Sequence, residues 1–245
     1  MPAMPADTPL VNYLPILSTI VAAAFTRELW RHWRANPRAR YLMWWTIGVA
    51  LFGVGTLTEA LNTLFGWQEW LFRSWYISGA LLGGAPLAQG TVYLLARKRI
   101  ADRLTVWLTT YVVIAAAFVI ATPIDVAAVD GDRLSGKVME WGWVRLFSPL
   151  LNTYALIFLV GGAIVSAYRY HRRPERAHTR VKGNVLIAVG ALLPGLGGSF
   201  TRLGYVEVLF VTELIGLSLI WLGYRAIVGD QVESIHAPQH ALQTT

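Results

Sequence analysis

The chain has 245 residues, of which 55% are hydrophobic and 14% charged, with a formal net charge of +7. That balance excludes an ordinary soluble domain, in which about a quarter of the residues are charged. Cysteine is absent, which removes disulfides, thiolate metal sites, iron–sulfur ligation and cysteine nucleophiles together.

Apolar stretches recur near 9–28, 42–65, 75–96, 104–123, 147–168, 182–200 and 205–227. Each is about 20 residues long without strict alternation, the mark of a membrane-crossing helix and not of a barrel strand. The expected fold is all-α: a polytopic bundle of seven transmembrane helices over residues 1–230, then a mobile cytoplasmic tail over 231–245. Met1 to Pro9 carries no basic residue before the first apolar run, which predicts a retained first helix instead of a cleaved signal peptide. Pro15 is expected to kink that helix.

Charge gives the orientation. The connections after the first, third and fifth spans, together with Arg225 at the start of the tail, hold 16 of the 21 Lys and Arg residues. The other side has only Arg73, Arg133, Lys137, Arg145 and Arg202. The positive-inside rule places the N-terminus outside and the C-terminus in the cytoplasm. Such charge would face anionic headgroups, and no nucleic-acid-binding module is recognisable, so the lipid bilayer and not nucleic acid is the expected partner. Trp30, Trp33, Trp44 and Trp45 fall at the predicted inner edge, and Trp67, Trp70 and Trp75 at the outer edge, as aromatic belts do. The stretch Val138 to Trp143 is expected to lie on the outer surface as a cap.

Pro15-Ile16-Leu17-Ser18-Thr19 in the first span echoes Pro149-Leu150-Leu151-Asn152-Thr153 in the fifth. A three-one-three plan of parallel repeats would follow, a relation found among transporters. Two unrelated apolar helices with basic turns would read the same way. Gly79 and Gly83, and Ala80, Gly84 and Ala88, are spaced by four in the third span, which lets neighbouring backbones approach. In the sixth, Pro194 followed by Gly195, Gly197 and Gly198 predicts a regular helix that stops near Leu196. A broken helix of that kind supplies backbone groups to transporter sites; a kinked structural helix fits the same residues.

Two acids lie inside the spans, Glu59 and Glu213. At about 1.5 Å per residue they sit roughly 12 Å below Trp67 and Tyr205, at nearly the depth of Asn152. Asn62 follows Glu59 by three positions and shares its face. A buried acid costs about 2.5 to 3.5 kcal/mol to insert and commonly marks function. These residues predict an outward-facing polar pocket for a cation, an amine or a proton; the alternative is a structural lock with Arg202, Arg73 or Asn152. Gln89 lies deeper, and serves either the pathway or an interhelical hydrogen bond.

All five histidines, His32, His171, His178, His236 and His240, lie outside the spans, which argues against His-ligated haem in the bundle. The only lysines are Lys98, Lys137 and Lys182, so a covalent retinal Schiff base in the last span is argued against too. Without a recognisable catalytic set, an enzyme is the least supported class.

Trp75-Tyr76-Ile77-Ser78-Gly79 through Thr91-Val92-Tyr93-Leu94-Leu95, with Gly183-Asn184-Val185-Leu186-Ile187-Ala188, resembles a group of bacterial seven-helix integral membrane proteins without an assigned function. The resemblance implies a bacterial plasma (inner) membrane and transfers no site residue. The expected function is a small transporter or ligand-binding membrane protein with a site of Glu59, Asn62, Asn152, Glu213, Gln89, Pro194 and Gly195. An accessory subunit, docked on membrane protein partners or on copies of itself, is the alternative, and a membrane sensor the third reading.

Overall fold

The computed structural model describes residues 10–129, 134–171 and 177–241. Among them there is no β-strand, and the helices are α1 (Leu14–Ala35), α2 (Arg40–Phe65), α3 (Glu69–Trp75), α4 (Ala85–Leu95), α5 (Lys98–Ala121), α6 (Phe147–Ala155), α7 (Gly161–His171), α8 (Ala177–Arg202) and α9 (Val206–Ala241). Two π-helical turns, Tyr76–Leu81 and Leu156–Val160, join α3 toward α4 and α6 to α7. Six helical stretches are long and apolar enough to cross a membrane: Leu10–Ala35, Arg40–Phe65, Lys98–Ala121, Gly142–Tyr168, Thr179–Thr201 and Val206–Gly229. The chain is thus an all-helical, multi-pass membrane protein in architecture.

The remaining expected span, 75–96, is the broken one. Its regular helix stops after the π turn and restarts at Ala85, with Pro86 in the first turn of α4. There proline is tolerated, because a first-turn N–H has no helical partner to lose. The expectation for the sixth span is corrected by the same comparison: α8 runs through Pro194 and on to Arg202. The Pro194 ring packs on Gly216 of α9, and a neighbouring helix that fills a proline site is what lets a membrane helix pass through one. Pro15 likewise sits in the first turn of α1 and begins that helix.

Packing follows the glycines. Gly183, Gly190 and Gly197 on α8, and Gly216 and Gly223 on α9, recur every seven residues. Antiparallel pairing brings Gly183 against Gly223 and Gly190 against Gly216, and backbone contact this close is the main source of helix association in lipid. On α2, Gly48 meets Leu87 and Gly55 meets Gly79. One core of Phe25, Leu29, Val49, Leu81, Leu108, Leu151 and Leu217 runs through the bundle. A smaller one, Phe72, Tyr76, Val119, Val138, Met139 and Val144, buries the connection between α5 and α6 over the end of α3. Val138 and Met139 therefore cap this end of the bundle, with Trp143 edge-on to Phe118 at 4.8 Å.

Candidate functional site

The site is built by a hairpin. Gly66, at φ 78°, ends α2 and turns the chain into α3. Positions equally distant from Trp67 then face each other: Gly55 against Gly79, and Glu59 against Trp75. The missing side chains of the glycine pair let the two segments close, so that Trp75 Nε1 donates to Glu59 Oε1 at 2.8 Å. Glu59 and Asn62 are each 5% exposed, one turn apart on the buried side of α2. One turn before Glu59, Thr56 shares a hydrogen bond with Thr19 of α1 at 3.0 Å, and one turn after it, Thr63 Oγ1 donates to the Asn12 carbonyl at 3.2 Å.

Helix α9 brings Glu213 to the same place. Its carboxyl lies close enough to that of Glu59 to interact with it electrostatically. The second oxygens of both groups, Glu59 Oε2 and Glu213 Oε2, are buried with no donor among the described residues. Arg73, the nearest basic residue to Trp75 in the chain, is spent elsewhere: its guanidinium donates to Glu69, to the Ile120 carbonyl at 2.8 Å, to the Thr122 carbonyl at 2.9 Å and to the Val119 carbonyl. The side chain of Arg202 lies outside the described residues.

The other expected site residues do not join this pair. Asn152 is exposed on α6, because that helix buries Ser148, Leu151 and Tyr154 and leaves the adjacent position outside. Gln89 is fully buried in a separate network: its Nε2 donates to the Ala101 carbonyl at 3.0 Å and to Thr105 Oγ1 at 2.8 Å, while Tyr154 OH donates to its Oε1. Every hydrogen-bonding role there is filled from within the protein, as an interhelical structural bond requires. Pro194 contacts Gly216, and Gly195 is exposed with open space around its Cα. Neither supplies an opened backbone.

Trp75 is the site residue that sequence reasoning assigned to the aromatic belt. The signal for its real role was its distance from the turn, equal to that of Glu59. Among the described residues no group of three or more His, Asp or Glu side chains is arranged to hold a metal ion. What the arrangement can do chemically is narrower: of two carboxyls from different helices, one steadied by an indole N–H, each keeps a buried oxygen with no donor among the described residues. The chain matches no protein-family model, no curated protein and no solved structure.

Proposed function

We propose that the chain is a small transporter or ligand-binding protein of a bacterial plasma membrane, with the Glu59–Glu213 carboxyl pair as its binding element. The N-terminus would be outside and the C-terminus cytoplasmic, as the charge distribution supports, and the pair would be reached from the outer side. The observation that carries the reading is the approach of the half-buried Glu213 to the buried Glu59, with neither Oε2 atom given a donor by the described residues. Two bare carboxylates so close repel strongly where the dielectric is low, and the described residues bring them no compensating cation. A proton shared between them, or a cation or protonated amine bound by both, removes the repulsion and supplies the missing partner. A proton or a cationic ligand is therefore the species proposed.

The test is native mass spectrometry and flux measurement on the full chain, extracted from its own membrane and then reconstituted in vesicles. Glu59→Gln and Glu213→Gln should each abolish proton or cation uptake, and release any retained small molecule, with little change in folding. Full uptake in both variants sinks the proposal.

One observation favours a second reading, that of an accessory subunit. Gly195 and Gly198 on α8 have nothing within 4 Å of where a Cβ would stand, and Gly195 and Ser199 are exposed. That is a small-residue face of the kind helices use to pack together in lipid. A stoichiometric protein partner, retained equally by both Gln variants, would move the function to that reading.

A further inference from the structure

At the opposite end of α2 from Glu59, the turn between α1 and α2 meets the turn between α4 and α5. Between them lies an open cavity of about 800 Å3, whose wall includes Arg38, Arg40, Tyr41, Tyr93 and Lys98. No lining residue is acidic. Among the described residues Arg38 and Lys98 form no ion pair, whereas Arg40 is held at 2.8 Å by Asp102. The wall is fixed from behind. Tyr93 OH donates to Asp102 Oδ1 at 2.8 Å and accepts from Thr105 at 3.0 Å, and the Arg40 guanidinium lies 5.8 Å from the centre of the Tyr93 ring. Thr105 in turn accepts from Gln89, which ties this wall into the core.

Three cations around one cavity repel each other, and among the described residues Asp102 offsets Arg40 alone, leaving Arg38 and Lys98 without a counter-charge. Helices α2 and α5 both start here, with no acid in the first turn and no side-chain cap from Ala39 or Arg97. Their positive dipole ends add to the same imbalance, and basic side chains at such ends are unfavourable. General retention of loops by positive charge needs no cavity; Arg99 and Arg103, exposed in the first turns of α5 but outside the wall, serve it as well. A bound anion resolves the imbalance, and a basic recess between membrane helices suits the phosphate of a lipid headgroup.

We propose that this cavity binds a phosphate group through Arg38, Arg40 and Lys98, carried by an anionic phospholipid at the membrane face or free as inorganic phosphate. The proposal is independent of the carboxyl pair. It is tested on the purified full chain, by native mass spectrometry with phosphatidylglycerol against phosphatidylcholine, and by thermal unfolding in inorganic phosphate against chloride at equal ionic strength. The double variant Arg38→Gln/Lys98→Gln should retain phosphatidylglycerol at least about tenfold less than the wild type. The charge-keeping pair Arg38→Lys/Lys98→Arg and the control pair Arg99→Gln/Arg103→Gln should retain it. Phosphate that stabilises the wild type and not the Gln pair, with no lipid retained, supports the site and makes free phosphate its source. Equal retention in all variants, or an equal loss in the control pair, overturns it.

Discussion

Gly55 of α2 lies against Gly79 of the π turn so closely that a Cβ on Gly55 would stand 3.2 Å from the Gly79 Cα and 3.4 Å from its nitrogen. The obstacle is backbone, which cannot swing aside as a side chain does. Since Glu59 and Trp75 face each other one turn further toward the hairpin, this approach sets the length of their hydrogen bond.

Widening the approach should therefore act on the carboxyl pair. Gly55→Val should cost about 1 to 3 kcal/mol by overpacking and free the Trp75 indole from Glu59. Unfolding in lipid, with Trp75→Phe as the reference background, checks it. The expected result is non-additivity, because Gly55→Val has less to remove once the indole donor has gone.

The glycines of α8 divide by what surrounds them. A Cβ on Gly190 would stand 2.5 Å from the Gly216 carbonyl oxygen, while one on Gly195 or Gly198 would meet nothing within 4 Å. Gly190→Ala should destabilise the protein by about 1 to 3 kcal/mol. Gly195→Ala and Gly198→Ala should stabilise it by about 0.5 to 1 kcal/mol in the monomer, as alanine does in a helix interior. A loss of stability in Gly195→Ala that appears only in a complex would show that a partner covers that face.

Gln89 joins α4 to α5 and to Tyr154. Gln89→Leu would leave the Tyr154 and Thr105 hydroxyls and the Ala101 carbonyl without this partner, and each buried group so stranded costs about 1 to 3 kcal/mol. The variant should be among the most destabilising single changes in the bundle, by thermal unfolding, while proton or cation uptake at the Glu59–Glu213 pair persists in whatever fraction folds.

Arg73 binds the last carbonyls of α5 from the side of α3, and its side chain is only 18% exposed. Arg73→Lys keeps the charge and loses the fork that reaches several oxygens at once. Faster hydrogen exchange at the end of α5 and at Val138 to Val144, with α8 and α9 unchanged, is the expected outcome.

The helical class and most span positions were legible in the sequence because length and hydropathy act locally. The placement of the break was not. Pro86 and Pro194 both sit beside glycines in apolar runs, and what separates them is distant: Pro194 has Gly216 packed on it, whereas Pro86 follows Gly83 and Gly84 at a restart of the helix. Periodicity does not report the neighbour. Of the site, Glu59, Asn62 and Glu213 stood out by the cost of burying polar groups in an apolar run. Asn152 has the right depth and the wrong face, which only the packing of α6 decides. The seven-residue spacing of glycines in the last two spans was present in the sequence, interrupted there by Gly195 and Gly198.

The α8–α9 hairpin closes through Gly204, at φ 99°, and outward from it Gly190 meets Gly216 and Gly183 meets Gly223. A connection of this kind is a gauge more than a tether. One residue inserted beside Gly204 would offset the series by a single step and set Gly190 against Ile215 or Leu217, whose branched side chains hold the helices apart. Most loops absorb such insertions at small cost; this one counts.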